Sequence, residues 1–343
     1  MENAGKKPLA RLLSTGGTIA STEEAAEGAS YTLSKKADEI IDSVPHLDYF
    51  IDIEVEEVAH KLSPRLLIED YVAVANAAKK AEADGVDGVI VTHGTSSIEE
   101  NAFFNDLVLD LDIPVAFVGA MRPNDAAMAD GPSNLLTAAR MIASDQFHLG
   151  NNGVYVVLND TIHAARDVEK SDTWAPETFD SGLAGPIARF TNSELQLYRE
   201  PKSYCPNLSD CDLEGIHELT VPIVTTAAGA EASLIEQAIA GRYAADGFAI
   251  QTTGRGKTSP AISRAVESAV EAGFPVVSSS RCYYGPIEPQ RNPGSVITMG
   301  NLPVWKARLY LLVLLTKTSD IEIIREAVVE SGYGKTVTAP SVL

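Results

Sequence analysis

Positive charge is scarce in this sequence. Lys and Arg number 27 against 47 Asp and Glu in 343 residues, a formal net charge of −20. Phosphate backbones are bound by basic surfaces that release counterions, so nucleic acid is disfavoured as a partner. Anionic membranes are disfavoured for the same reason. The bland use of so much acid is a soluble surface that resists aggregation. An anionic substrate would then need a few well-placed Lys or Arg residues to make the local field positive. Cysteine is scarce too: Cys205, Cys211 and Cys282 are an odd count with no CxxC pair. Cys205 and Cys211 are near enough in sequence to bridge, but reduced thiols in a reducing compartment are the simpler reading. No Cys/His cluster has metal-ligand spacing. Apolar runs long enough to span a bilayer, about 18 residues, are missing. The stretch after the N-terminal lysines is broken by Ser14 and Gly16-Gly17, which makes a poor secretory h-region. The expectation is a cytoplasmic protein with no membrane partner. Phosphate-loop signatures are absent as well: no GxxxxGK[ST] occurs, no GxGxxG follows the first strand, and Gly254-Arg255-Gly256 is a lone short match.

What is present is an ordinary globular composition, 45% apolar and 22% charged, in a chain long enough for about two domains. Short apolar runs alternate with helix-period segments. Residues 9–13, 88–92, 114–118 and 153–158 read as buried strands; 71–83, 97–111 and 133–144 read as helices. This rhythm implies a mainly parallel sheet with helices on both faces. Residues 190–216 hold Pro201, Pro206, Asn207 and little periodicity, and read as a linker or ordered crossover. The alternation then resumes with strands at 221–225, 247–251 and 275–279, helices at 230–240 and 259–272, and a closing amphipathic helix at 303–316. The expectation is an α/β protein: a larger N-terminal catalytic domain over 1–195, a linker over 196–216 and a smaller α/β domain over 217–343.

In open parallel sheets, ligands bind outside the carboxyl ends of the strands. Two polar clusters sit at such ends, Ser14-Thr15-Gly16-Gly17-Thr18 and Thr92-His93-Gly94-Thr95-Ser96-Ser97. Glycine lets the backbone approach a ligand and offer bare N–H groups. Threonine supplies a hydroxyl that can attack or donate. Together they suit acyl transfer, which needs a nucleophile and an oxyanion site. Taken singly, each cluster is also compatible with a plain turn. A hydroxyl nucleophile needs a base, and the first half offers His60, His93, His163, Lys170 and several acids. A lysine in that role needs a lowered pKa through burial or cationic neighbours. His93 sits mid-turn and is equally compatible with a packed or capping histidine.

The joined segments resemble the bacterial-type L-asparaginase and glutaminase-asparaginase family. Residues 13–20 (LSTGGTIA) resemble its first signature, and 91–95 (VTHGT) followed by Ile98-Glu99-Glu100 its second. Gly119-Ala120-Met121-Arg122-Pro123, the 130–135 segment (DGPSNL), and Asn159-Asp160 with Arg166 to Lys170 follow in the family's order. Ser279-Ser280-Arg281 and Lys306-Ala307-Arg308-Leu309 resemble its smaller domain. The resemblance covers nearly the whole chain. It implies two α/β domains, a homodimer or homotetramer with sites at the subunit interface, and a two-step acyl-enzyme hydrolysis that releases ammonia from a small amide. No metal or organic cofactor is implied. Thr18 matches the nucleophile and Tyr31 the flap tyrosine that assists it. Thr95 and Lys170 match the second threonine and its lysine, and Ser63 the serine that holds a substrate carboxylate. Backbone N–H groups near Thr95 and Gly17 are implied as stabilisers of oxyanion and carboxylate.

Departures from the pattern bear on the substrate. The family's aspartate for the substrate α-amino group stands at the position of Ser96, and its usual glutamine at that of Pro64. The neighbouring subunit's small residue aligns with Arg255, and its glutamate with Glu288 only loosely. A serine cannot replace a carboxylate opposite a desolvated ammonium. Pro64 removes an amide side chain and a backbone donor. Arg255 adds a carboxylate-seeking fork. The expectation is an asparaginase-type amidohydrolase whose amide substrate lacks the α-amino group. The alternatives are plain L-asparaginase, lactam or cyclic-imide opening, which releases no ammonia, and a non-catalytic binding protein on the same fold.

Overall fold

The structure, a computed structural model, describes residues 7–16, 21–23, 31–33, 41–42, 44–150, 152–192, 194–287 and 296–332, with backbone alone for 21–23 and 31–33. Two compact units divide the chain, Met1–Ser209 and Asp210–Leu343.

In the first unit the chain forms β1 (Leu9–Gly16), a short hairpin of β2 (Ser21–Glu23) and β3 (Tyr31–Leu33), β4 (Asp52–Lys61), helix α1 (Ile68–Ala83) and β5 (Gly88–Thr92). Next come α2 (Ile98–Val108), β6 (Val115–Val118), α3 (Gly131–Ile142), β7 (Val154–Leu158) and β8 (Thr161–Ala164). A small ladder of β9 (Glu169–Lys170) and β10 (Phe179–Asp180) precedes β11 (Ala188–Thr191) and β12 (Glu194–Leu197). The main sheet has eight strands in the order β12-β11-β8-β7-β6-β5-β1-β4. Its five strands from β7 to β4 are parallel, as the strand–helix rhythm requires. The other three are antiparallel.

Period-two alternation assigns the faces. Ala10, Leu12, Ile90, Ala116, Val118, Tyr155 and Val157 pack with Leu135, Ala138, Ala139 and Ile142 of α3 in one cluster. The intervening residues Leu13, Val91, Phe117 and Val156 are equally buried and point to the opposite face. There α1 lies along β1, β4 and β5, and α2 along β7. A strand buried on both faces reads as a continuous apolar run. That is why β5, β6 and β7 are legible in the sequence.

The strands that the sequence hides are the exposed ones. β4 is an edge strand whose Glu54, Glu57 and His60 are exposed, and charge on an edge strand blocks further pairing. β8 follows β7 through Asn159-Asp160, at φ 51° and 58°. That pair of left-handed residues makes the tight turn whose twist suits a hairpin. The stretch 190–216 supplies β12 to the opposite sheet edge. Beyond it, Arg199 orders the irregular chain, with its guanidinium 2.7 Å from Asp167 and 4.1 Å above the Tyr204 ring.

The second unit holds a four-stranded parallel sheet in the order β13 (Ile223–Thr225), β14 (Phe248–Thr252), β15 (Val276–Ser280), β16 (Ile297–Thr298). Helices α4 (Ser233–Ile239) and α5 (Pro260–Glu271) pack through Ile235, Ala238, Ile262 and Val266 onto Phe248 and Ile250. Helix α6 (Val304–Leu315) differs from the expected amphipathic closing helix. It is buried nearly all round, including Leu309, Tyr310, Leu311, Leu312, Val313 and Leu314. It packs on β13, β14 and β15, and the Tyr310 hydroxyl meets the Ala327 carbonyl at 3.3 Å. Ala327 belongs to α7 (Ile321–Glu330), a further helix in the chain. A helix covered on two sides carries no polar face.

Candidate active site

The ends of β1, β4 and β5 lie side by side. Ser14 pairs with Thr92, Gly16 with Lys61, and Thr92 with Val118 of β6. Gly16 has φ 101°, where a Cβ is strained, so the chain can leave the strand there without penalty. Thr15 is already committed: it is 1% exposed, and its hydroxyl donates to the Thr92 carbonyl at 2.8 Å. Beyond the end of β4, Ser63 is buried in the single 3-10 turn Ser63–Arg65, and its carbonyl accepts from the Ser97 hydroxyl at 3.0 Å. The β5 loop is thereby tied to the neighbouring strand ends.

Within that loop, the Thr95 side chain is buried and Lys170 Nζ donates to its Oγ1 at 2.9 Å. The two residues come from β9 and the loop after β5, 75 positions apart. Burial lowers the Lys170 pKa, while the charges of Glu99 and Asp172 oppose the fall. A lysine pulled towards neutrality beside a hydroxyl is a proton acceptor for it. The backbone N–H of Lys170 donates to the Glu99 carboxylate, in the first turn of α2. In the sequence Glu99 stands out only as part of the Ile98-Glu99-Glu100 segment that follows the 91–95 signature. Its signal is the acid one helical turn past Thr95 on the same segment. Gly119, at the end of β6, makes room for this group: a Cβ there would fall 2.8 Å from Thr95 Cγ2 and 3.0 Å from the His93 carbonyl.

His93 is not a base for this site. It is fully buried, and burial holds its pKa down at about 4. Asn105 Nδ2 lies 2.7 Å from Asn101 Oδ1, and Asn101 Nδ2 lies 3.0 Å from His93 Nε2. The first bond fixes the Asn101 amide so that its N–H points at the ring. Nε2 must therefore accept, and Nδ1 carries the proton that meets the Gly94 carbonyl at 2.8 Å. A neutral imidazole braces the turn from beneath. The other candidate bases fall elsewhere: His163 Nδ1 lies 2.8 Å from Ser181 Oγ, and His60 lies 3.9 Å from Glu57 on β4. Among the three histidines and Lys170, only Lys170 touches a threonine hydroxyl of the two clusters in the described residues.

The remaining motifs interlock as scaffolding. Asp130 accepts the backbone N–H groups of Met121 and Arg122 at 3.0 and 2.9 Å. The Asn134 amide donates to the Gly119 carbonyl and accepts from the Asn159 N–H. One asparagine thus ties the loop after β6 to the turn after β7.

Of the residues singled out by sequence, the structure brings Thr95 and Lys170 together and places Ser63 behind Ser97. Ser96 is exposed, next to the buried Thr95. Pro64 is exposed in the Ser63 turn. Arg255 is exposed in the second unit, on a turn where Thr253 bridges Lys257. The Ser280 hydroxyl pins that turn by donating to the Gly254 carbonyl at 2.6 Å. Gly17, Thr18 and Glu288 lie outside the described residues, and of Tyr31 only the backbone in β3 is described. Among the described residues, no group of three or more His, Cys, Asp or Glu is placed to hold a metal ion. No described helix is long and apolar enough to cross a membrane.

Comparisons with known proteins converge. The family profile described as "Asparaginase, N-terminal" matches residues 11–203, and that described as "Glutaminase/Asparaginase C-terminal domain" matches residues 220–328. L-asparaginase 2 of Escherichia coli is 33% identical over 93% of this chain and 92% of its own. A glutaminase-asparaginase of Pseudomonas aeruginosa is 30% identical over 90% of this chain and 86% of its own. Among solved structures, a probable cytoplasmic L-asparaginase from Campylobacter jejuni superposes with a TM-score of 0.84 at 29% identity. That match covers 94% of this chain and 99% of the other.

Proposed function

This chain belongs to the asparaginase family, and from that premise we propose that it hydrolyses a small carboxamide in two steps through a Thr18 ester. Members of the family are amidohydrolases acting on linear amides and are typically oligomeric. In the first step the Thr18 hydroxyl oxygen bonds to the amide carbon, the C–N bond breaks, and the hydroxyl proton leaves with nitrogen as ammonia. Tyr31 assists that proton's transfer. In the second step water attacks the ester, Lys170 accepting a proton through Thr95, and the carboxylic acid and the Thr18 hydroxyl are released. The half-buried lysine 2.9 Å from a buried threonine hydroxyl supports this reading. Ser63 and the backbone N–H groups near Gly17 and Thr95 serve substrate carboxylate and oxyanion. A second copy of the chain completes each site, in a homodimer or homotetramer.

Ser96 carries the substrate reading. It is exposed beside Thr95 at the position where the family places an aspartate for the α-ammonium. Losing the partner of a desolvated ammonium costs about 3–5 kcal/mol, roughly 10²- to several 10³-fold in selectivity. The substrate of choice is then a carboxylate-bearing amide without that ammonium, and Arg255 suits an additional carboxylate. The second reading, L-asparaginase itself, is favoured by the names of relatives that match over nine-tenths of the chain. Ammonia release from L-asparagine and from succinamate, which is asparagine without its amino group, separates the two. Succinamate should have the higher kcat/KM, and Thr18→Ala should abolish both activities. Preferential turnover of asparagine would overturn the substrate reading. An active Thr18→Ala variant would move the nucleophile elsewhere. A cytoplasmic location belongs to the same proposal. Cys205, Cys211 and Cys282 are free thiols, and the Campylobacter jejuni neighbour is named as cytoplasmic.

A further inference from the structure

Glu99 has no part in the two-step scheme, yet its position is unusual for an acid. It stands in the first turn of α2, where a carboxylate suits the helix dipole, as does its neighbour Glu100. That explanation asks for nothing more than a solvated side chain. Glu99 is instead only 9% exposed. A carboxylate withdrawn from water is costly unless hydrogen bonds compensate it. One bond that Glu99 makes is long-range: it accepts the backbone N–H of Lys170, 71 positions away in sequence.

The same lysine is thus held at two points by one segment. Its backbone meets Glu99, and its Nζ meets Thr95 Oγ1 at 2.9 Å. Thr95 and Glu99 are four residues apart, so any shift of the β5–α2 segment carries both contacts with it. Lys170 otherwise lies in the two-residue ladder of β9 and β10, where it pairs with Phe179. A ladder that short gives little hold on a long, flexible side chain. We infer that Glu99 is a positioning residue for Lys170, anchoring its backbone so that Nζ reaches Thr95 and holding a carboxylate against the lysine's own segment. The inference rests on the reading in which Lys170 serves Thr95 in hydrolysis.

The electrostatic half has a definite sign. Among the described residues, the charges that act on Lys170 are Glu99 from α2, the larger, and Asp172 from the turn after β9. Asp172 is exposed and held by the backbone N–H groups of Trp174 and Ala175, so its charge is shared with solvent and backbone. Both stabilise the ammonium, against burial. Removing the Glu99 charge while keeping an acceptor for the N–H should make Lys170 easier to deprotonate. If hydrolysis needs the neutral amine, the acidic limb of the rate profile then moves to lower pH. Removing the acceptor as well releases the anchor, and misplacement by about 1 Å costs on the order of 10²-fold in rate.

The test measures kcat and KM across pH for the full chain and for Glu99→Gln, Glu99→Ala and Lys170→Met, with L-asparagine and succinamate as substrates. Glu99→Gln should keep kcat within several-fold at its optimum and move the acidic limb to lower pH. Glu99→Ala should lose about 10²-fold in kcat with little change in KM. Lys170→Met should be inactive. A Glu99→Gln profile that superimposes on the native one, with Lys170→Met inactive, overturns the role of Glu99 and leaves the hydrolytic reading standing. An active Lys170→Met variant overturns that reading itself. Glu99→Gln decides the matter alone if Glu99→Ala fails to fold.

Discussion

Acid should weaken the first unit through two buried histidines, and the size of the effect follows from their surroundings. His93 is 0% and His163 is 5% exposed. Burial pushes each from the ordinary 6.5 to about 4, with the Gly94 carbonyl opposing at His93 and the Asp180 charge opposing at His163. Both are therefore neutral in the fold and protonated in the unfolded chain at mildly acidic pH. Because the folded pKa is depressed for a base, its contribution to stability is complete above 6.5 and is lost as pH falls from 6.5 to about 4. At about pH 5 each histidine should cost about 2 kcal/mol relative to about pH 8. Together they remove about 4 kcal/mol, a large share of the roughly 5–15 kcal/mol that holds a domain together. The perturbations are His163→Asn, His93→Asn and the pair, each measured by urea unfolding at the two pH values. Lost packing lowers stability equally at both, so the difference between them isolates the titration. That difference should shrink by about 2 kcal/mol in each single variant and about 4 kcal/mol in the double. An unchanged difference would mean that the ring titrates alike in the folded and unfolded chain. It would also remove the argument that His93 is a neutral brace.

Two further outcomes are expected at the site. Gly119→Ala places a methyl 2.8 Å from Thr95 Cγ2 and 3.0 Å from the His93 backbone carbonyl, so Thr95 must shift away. Stability should fall by about 1–3 kcal/mol in thermal unfolding and kcat by on the order of 10²-fold. Full activity would place Thr95 outside the reaction. Ser96→Asp should return an anion to the exposed position beside Thr95 and raise the asparagine-to-succinamate ratio of kcat/KM by about tenfold or more. An unaltered ratio in the ammonia assay would detach Ser96 from substrate choice.

How much was legible in the sequence depended on burial. β5, β6 and β7 were readable because both faces are covered and their residues are uniformly apolar. β4 was not, because an edge strand carrying Glu54, Glu56 and Glu57 reads like a charged loop. The Asn159-Asp160 hairpin had its signal in the dipeptide itself, between apolar runs. The amphipathic expectation for α6 failed because the helix is buried nearly all round, leaving no side to solvent. Thr95 and Lys170 were nameable through resemblance, but their distance was not, since nothing local relates a loop after β5 to β9.

On the proposed reading, the same contrast separates the residues assigned to catalysis from those assigned to recognition. Thr95, Lys170 and Glu99 form one hydrogen-bonded group, partly buried, and His93, Asn101 and Asn105 a second, buried one. Changing one leaves a buried polar partner unmet, at about 1–3 kcal/mol, so substitution within either group is penalised by the fold itself. Ser96 and Arg255 are exposed, and Ser96 anchors no bond in either group. The identity of Ser96 can change at little cost to stability. On the proposed reading, recognition can therefore change more readily than hydrolysis, and the departures from the family pattern at Ser96, Pro64 and Arg255 are all exposed.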